Sequence, residues 1–272
     1  MKAVTYRPAQ KKHKMYFRNN QIKAFEKLLD IMDEIRDKCP WDKKQTMESL
    51  RHLTIEETYE LGDAILENDT LEVKKELGDL LLHIVFYAKI ASEKNDFDIE
   101  EVISSINEKL IHRHPHVFGN VIAETEEEVA KNWERLKLKE GRTSVLSGVP
   151  KSLPALVKAS RIQDKAAAAG FDWDRREQVF EKVQEEFNEL HVEVEENSQR
   201  IEDEFGDVLF SLINYARFIN IDPESALERT NKKFIKRFQF LENEASKEGK
   251  QLTDMTLDDM SVHWEKSKTF FK

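Results

Sequence analysis

The sequence predicts an all-α protein made of two tandem, duplicated helical-bundle modules. Its 272 residues include only 8 Gly and 6 Pro, the residues that most often interrupt helices. Apolar residues recur at spacings of three and four, the period of an α-helix, and convincing strand-like alternation is absent. One such run comprises Leu77, Leu80, Leu81, Ile84, Val85 and Ala88. Acidic motifs then recur in both halves, which indicates a duplication.

This periodicity predicts ten helices. Three starts carry N-terminal signals: Asp98 precedes two glutamates, Asp222 precedes a proline, and Thr125 precedes three glutamates. In chain order, the helices are placed near residues 20–37, 48–67, 70–94, 98–112, 125–139, 153–168, 175–196, 199–219, 222–246 and 256–270.

The domain boundaries follow from composition. Residues 1–19, with the basic run QKKHK, are predicted to be an N-terminal tail. Residues 20–140 form the first module and residues 153–272 the second. Residues 141–152 are predicted to be a linker, because the surrounding segment KEGRTSVLSGVPKSLP is rich in Gly and Pro.

Composition also excludes several classes of protein. A formal net charge of −10 disfavours the basic surface that nucleic acid binding requires, so no nucleic acid partner is expected. Cys39 is the only cysteine, which excludes intrachain disulfides and cysteine-rich zinc sites. No stretch approaches the ~18 to 20 apolar residues of a membrane span, and the N-terminus lacks a signal peptide's apolar region. We therefore expect no membrane partner and a cytoplasmic protein.

Paired acids are the main chemical signal. Acids three residues apart lie on one face of a helix, and two such helices packed antiparallel can aim four carboxylates at one point. A divalent cation would relieve the repulsion between them, and all-oxygen ligands favour Mg²⁺, with Mn²⁺ as a substitute. The candidate metal ligands are Glu57, Glu60, Glu76 and Asp79 in the first half, and Glu186, Glu189, Glu204 and Asp207 in the second.

Two alternatives compete with this metal site. The acids can instead be the solvated faces of amphipathic helices. Repetition argues against that, because the two sets match at offsets of 129 and 128 residues and a solvated face needs no fixed pattern. A ferritin-like redox bundle is disfavoured, because no histidine occupies the second position, three residues after the first, of either kind of acidic pair.

Cations and an aromatic residue follow the acids along the chain. Lys233 and Arg237 lie four apart, as do Trp264 and Lys268. A metal ion together with ammonium and guanidinium donors is suited to a polyphosphate, and Trp264 can stack on a base or ribose. Taken singly, an exposed Lys/Arg pair and a core tryptophan are the simpler interpretations.

The motifs resemble those of the MazG family of all-α nucleoside triphosphate pyrophosphohydrolases. CPWDKKQT, IEETYELGDAI, KKELGDLLLHIVFYAKIA and HRHPHVFG resemble its first half. AAGFDWD, VQEEFNEL, DEFGDVLFSLINYARF and ALERTNKKFIKRF resemble its second half. The resemblance covers nearly the whole chain from about residue 20, and the ordered set is more specific than any single acidic pair.

The resemblance implies Mg²⁺-dependent hydrolysis of nucleoside triphosphates between the α and β phosphates, giving a monophosphate and pyrophosphate. It also implies a homodimer with active sites in helical bundles at its interface. It assigns catalytic and metal-binding roles to Glu186, Glu189, Glu204 and Asp207, and nucleotide contacts to Lys182, Lys233, Arg237, Trp264 and Lys268. Arg200 occupies a position where the family pattern carries Lys, so a planar fork replaces a point charge there.

The second module is expected to carry the main activity. Lys182 and Arg200 lie four residues before Glu186 and Glu204, on the same helical faces, but the repeat offsets place Leu53 and Glu72 at the matching positions of the first half. The first half keeps its four acids and Lys109, Arg113, Trp133 and Lys137, so weaker turnover is expected there. The alternative function is a noncatalytic scaffold or regulator with a metal-stabilised bundle.

Overall fold

The computed structural model describes residues 8–123, 125, 128–129, 132–133, 136 and 144–271. Within these residues the secondary structure is helical and contains no strand, as the sequence predicts. The chain separates into two compact units, Met1–Asn120 and Val121–Lys272, which we call the first and second units. None of the described helices combines the length and the hydrophobicity of a membrane-spanning segment.

The first unit contains five helices among its described residues. They are α1 (Pro8–Lys38), α2 (Met47–Glu67), α3 (Thr70–Ser92), α4 (Ile99–Arg113) and α5 (Pro115–Phe118). Helix α1 begins well before the predicted start near residue 20, so part of the predicted tail is helical. Its lysines and glutamine are good helix formers, and a proline is well tolerated in a first helical turn. The short α5 was not predicted.

The second unit follows the prediction closely. Its described helices are α6 (Ala155–Ala168), α7 (Arg176–Glu195), α8 (Ile201–Phe218), α9 (Pro223–Lys247) and α10 (Leu257–Phe270). Each of their ends lies within two residues of the predicted position. The helix predicted at 125–139 falls largely outside the described residues.

The boundary between the units differs from the predicted linker. The chain divides after Asn120, and the described residues of the predicted linker, 144–152, fall in the second unit. The Lys165 side chain is buried and its Nζ donates to the carbonyl oxygen of Val145 at 3.0 Å. Lys158 Nζ donates in the same way to Lys151 at 2.7 Å. Glycine and proline predicted a linker, but these two lysines of α6 bind its described part as a packed loop.

Each unit is organised around one acidic hairpin. Helix α2 packs on α3 in the first unit, and α7 packs on α8 in the second. The links are short and contain Asn68 (φ 56°) and Asn197 (φ 49°), left-handed conformations that asparagine tolerates better than most residues. These tight turns fold each pair back on itself, which is the arrangement that convergent acids require.

The acids of the second unit lie on the buried face of its hairpin. Val183 and Val208 are both core residues. Glu186 follows Val183 by three positions and Glu204 precedes Val208 by four, so each acid shares a helical face with a core valine. Hydrophobic packing of α7 on α8 therefore brings the two carboxylates together.

Candidate active site

Three of the four predicted acids converge in the second unit. Carboxylate oxygens of Glu186, Glu189 and Glu204 lie within 4.8 Å of one another. Glu186 is 7% exposed and Glu204 only 2%, whereas Glu189 is exposed. Asp207 lies outside this group and is exposed, although it lines the same cavity as Glu186. The structure therefore brings together a trio, with Asp207 beside it.

Both cations predicted near these acids are in place. Lys182 Nζ lies 2.8 Å from Glu186 Oε1 and 2.7 Å from Glu185 Oε1. Arg200 Nη2 forms an ion pair with Glu204, and its Nη1 lies 3.4 Å from Glu193 Oε1. Each buried carboxylate of the trio thus has its own cation.

Electrostatics reflect this pairing. Burial raises the pKa of Glu204, Arg200 opposes that rise, and the charges of Glu189 and Asp207 add to it. Hydrogen bonds to Glu185 and Glu186 raise the pKa of Lys182, so this side chain stays charged. The arrangement balances a high density of negative charge with two fixed positive charges.

The first unit gathers a different trio. Oxygens of Glu57, Glu76 and Asp79 lie within 4.8 Å of one another, and Glu60 lies outside the group. Glu76 is 1% exposed, and its Oε2 atom is buried with no hydrogen-bond partner among the described residues. A buried carboxylate oxygen without a partner, close to two other acids, is suited to bind a hard divalent cation, so these residues fit such an ion.

The alignment of the two halves of the sequence missed a cation in the first unit. Leu53 packs against the hydrophobic core, as its residue type implies. Lys75 nevertheless donates to Glu76 at 3.0 Å and to Glu72 at 2.6 Å. The positions that match Lys182 and Arg200 therefore carry no cation, but Lys75 supplies one to Glu76 from another position. Lys75 adjoins Glu76 in the chain, whereas Arg200 precedes Glu204 by four, so the repeat offset could not reveal it.

Two acids of the first-unit site have raised pKa values. Burial, a hydrogen bond with Glu76 and repulsion from Asp79 together raise the pKa of Glu57 to about 7. A hydrogen bond from Lys75 lowers the pKa of Glu76, so the proton shared by this pair belongs to Glu57. Burial and repulsion from Glu76 also raise the pKa of Glu60.

Glu57 should make the stability of the metal-free protein depend on pH. Its pKa is about 7 when folded and 4.5 ordinarily, so the folded state binds more protons between these values. The free energy of unfolding is therefore expected to fall as pH rises from about 5 to about 8. Thermal melts across this range should show a falling midpoint, with a smaller slope in Glu57→Gln. A midpoint that rises with pH in the wild type but not in the variant would contradict the assignment.

A cavity of about 660 Å³ adjoins the second trio. Lys182, Glu186 and Asp207 line it, and so do Phe171 and Trp173 from the loop before α7. Trp173 is half-exposed and forms part of the cavity wall.

An ion pair holds the Trp173 loop in place. Asp172 accepts two hydrogen bonds from the guanidinium of Arg217 on α8, one of them at 2.9 Å from Nη1. Bidentate pairing of this kind fixes the orientation of both partners. The loop is therefore held over α8 at the edge of the cavity.

Four other predicted nucleotide contacts lie elsewhere in the unit. Arg237 on α9 donates to the carbonyl oxygen of Phe271 from Nε at 2.9 Å and from Nη2 at 2.6 Å. Its guanidinium carbon lies 6.0 Å from the centre of the Trp264 ring, and Lys268 pairs with Glu265 at 2.5 Å. These residues and the partly buried Lys233 do not line the cavity.

The counterparts of these residues in the first half of the sequence begin on α4. Lys109 is exposed on α4, Arg113 ends that helix, and Lys137 lies outside the described residues. Within one chain, the structure thus joins Lys182 and Arg200 to the acids but leaves the α9 and α10 residues apart.

Fold and site together define an all-helical protein with one acidic, cation-flanked centre in each of two duplicated units. The family model for the MazG nucleotide pyrophosphohydrolase domain matches residues 45–118 and 175–239, once in each unit. The chain belongs to the MazG family, and the predicted duplication is confirmed.

Named relatives indicate the class of enzyme. A nucleoside triphosphate pyrophosphohydrolase/pyrophosphatase MazG from Thermotoga maritima is 44% identical over 90% of this chain and 95% of its own length. A nucleoside triphosphate pyrophosphohydrolase from Escherichia coli is 40% identical over 92% of this chain and 97% of its own. A solved MazG-related protein from Thermotoga maritima aligns at 32% identity with a TM-score of 0.38, over 42% of this chain and 98% of its own. The chain is an enzyme of the nucleoside triphosphate pyrophosphohydrolase type, which sets aside the noncatalytic scaffold.

Proposed function

We propose that the second unit is the main catalytic site for Mg²⁺-dependent hydrolysis of nucleoside triphosphates between the α and β phosphates. The products are a nucleoside monophosphate and pyrophosphate. The observation that carries this proposal is the pairing of two buried carboxylates, Glu186 and Glu204, with Lys182 and Arg200 beside a cavity large enough for a nucleotide.

The roles of the residues follow from their chemistry. Glu186, Glu189, Glu204 and Asp207 would hold Mg²⁺, which neutralises and polarises phosphoryl oxygens when bound. Water attacks the α-phosphorus, the bond to the bridging oxygen breaks, and that oxygen leaves with pyrophosphate. A carboxylate of the acidic set accepts the proton of the water. Lys182 and Arg200 stabilise the negative charge on the leaving pyrophosphate.

Protonation favours the second unit over the first. The buried acids of both units are paired with cations, but Glu57 in the first unit has a pKa of about 7 and is therefore about half protonated near neutral pH. A metal ion must displace that proton before Glu57 can act as a ligand. We therefore propose that Glu57, Glu60, Glu76 and Asp79 form a second Mg²⁺ site with weaker turnover.

The product pattern tests the reaction. Incubation with Mg²⁺ and each nucleoside triphosphate should release monophosphate and pyrophosphate in equal amounts. In water enriched with heavy oxygen, the label should enter the monophosphate, because the attack is on the α-phosphorus. Dominant release of orthophosphate, or label in pyrophosphate, would show that another bond breaks.

A homodimer is the second part of the proposal. Phe205, Leu209 and Leu212 lie on one face of α8, and Leu77, Leu81 and Ile84 occupy the same repeat positions on α3. All six side chains are between 39% and 54% exposed. Matched apolar stripes on corresponding helices suit pairing with a second copy, which can also supply the α9 and α10 cations to the acids.

Charge on the stripe should break the dimer. Leu212→Glu places a carboxylate in the apolar contact, so the particle mass should fall from roughly twice the 32.0 kDa chain towards the monomer. Sedimentation equilibrium measures this directly. Leu257→Glu is the matched control, since Leu257 is more exposed and lies outside the stripe. A monomeric wild type, or a dimer that survives Leu212→Glu, would contradict the proposed interface.

The setting of the reaction completes the proposal. The acidic net charge suits a small nucleotide substrate with its metal ion rather than a nucleic acid. A single, partly buried free cysteine suits a reducing compartment, so we place the enzyme in the cytoplasm.

A further inference from the structure

Gln163 on α6 is an unusual member of the cavity wall because half of its amide has no partner. The residue is 6% exposed, and its Nε2 donates to the carbonyl oxygen of Phe210 at 2.8 Å. A carbonyl oxygen only accepts, so this bond fixes the orientation of the amide. Its Oε1 is then buried with no hydrogen-bond partner in the described part of the chain. A buried acceptor without a partner is unfavourable, so a ligand donor is expected there.

The amide of Asn214, on the same wall, is hydrogen-bonded through its oxygen instead of its nitrogen. Asn214 Oδ1 accepts from Arg217 Nε at 3.1 Å and from Nη2 at 2.9 Å. This orientation leaves the Nδ2 amine without an acceptor among the described residues. Both residues belong to the lining of the cavity, so its wall contains one unpaired acceptor, on Gln163, and one donor, on Asn214, that no described residue uses.

The rest of the cavity suits a flat heterocycle. Trp173 and Phe171 contribute aromatic surface, and aromatic rings stack on any base. Lys182 and Glu186 belong to the same lining, so a ligand in the cavity can also reach the proposed phosphate and metal site. Amides are the side chains that recognise a base edge through one donor and one acceptor.

We propose that this cavity binds the nucleobase of the substrate and that Gln163 and Asn214 recognise its edge, with Gln163 accepting from a ring or exocyclic N–H and Asn214 donating to a neighbouring acceptor. This assignment rests on the proposed function and deepens it by naming the residues that determine base preference. The substrates it favours are triphosphates whose base presents a donor beside an acceptor.

The full-length protein can be assayed with substrates that contain a base and with one that lacks it. This comparison tests whether Gln163 recognises the base or only supports the packing of the cavity wall. Gln163→Leu should lower kcat/KM for the preferred canonical nucleotide by about 10- to 100-fold and change the order of preference among the four nucleotides. Ribose 5-triphosphate lacks a base, so its hydrolysis should stay within about twofold of wild type by the same reasoning. Gln251→Leu, a substitution at an exposed glutamine outside the cavity, is the control.

The same assay can overturn the assignment. An unchanged order of preference, or an equal loss with ribose 5-triphosphate, would show that Gln163 acts only through packing. Asn214→Ala repeats the comparison if Gln163→Leu fails to fold, as judged by circular dichroism.

Binding distinguishes this inference from the proposed function. Calorimetry with α,β-methylene nucleoside triphosphates should show a base preference that Gln163→Leu abolishes. If the wild type bound them in this way without hydrolysing nucleotides, the proposed function would fall and the base site would stand. Equal binding of all bases by both proteins would overturn the base site.

Discussion

Glu186→Gln should reduce pyrophosphate release by on the order of 1000-fold, whereas Glu57→Gln should reduce it at most a few-fold. Glutamine keeps the shape of the side chain but removes the charge that would hold the metal ion. Glu186 is buried in the trio of the second unit and is paired with Lys182. A ligand contributes several kcal/mol through the metal, and each ~1.4 kcal/mol is a factor of ten in rate.

The comparison between the two substitutions tests the ranking of the units. Both remove one buried or half-buried carboxylate from a matched position, so any general effect of losing charge is shared. Initial rates of pyrophosphate release at saturating Mg²⁺ and nucleotide provide the measurement, and thermal melts check folding. A greater loss in Glu57→Gln than in Glu186→Gln would make the first unit the main site.

Lys182→Met should lower kcat/KM by about 100-fold. The ammonium group lies 2.8 Å from Glu186 and belongs to the cavity wall, where it can contact a phosphate. Methionine retains the length and apolar stem of the side chain but cannot neutralise developing charge on pyrophosphate. Most of the loss is expected in kcat, because that charge is greatest in the transition state.

Two controls separate this effect from a change in total charge. Lys27→Met removes an exposed lysine on α1 and should leave the rate unchanged. Arg200→Lys keeps a positive charge but loses the fork that reaches both Glu193 and Glu204, so a loss of at most about tenfold is expected. If Lys182→Met matched Lys27→Met in activity, the proposed phosphate contact would be refuted.

Most helices could be predicted because their signals are local. The apolar period, the acids at helix starts and Pro223 placed nine of the predicted helices with ends within two residues of the structure, apart from the start of α1. Composition alone says little about packing. Helix α1 begins at Pro8, within the segment predicted as a tail, and lysines of α6 donate to two carbonyl oxygens of the Gly/Pro-rich segment before it.

The site was predictable only in part. Spacing identified the eight acids and the two cations four residues before Glu186 and Glu204. Rotamers and burial decide which acids meet, and here Glu60 and Asp207 remain outside the trios. Lys75 and Gln163 gave no sequence signal, because a lysine beside a glutamate and a glutamine in a helix are common in any soluble protein.

The sequence by itself determined the helices, the duplication and the two acidic motifs, since each depends on residue types a few positions apart. Tertiary structure alone decided the protonation of Glu57, the pairing of buried acids with cations and the cavity with its two amides that are each hydrogen-bonded at one end. These properties depend on distances between helices and on exclusion of water, which arise only when α2 packs on α3 and α7 packs on α8.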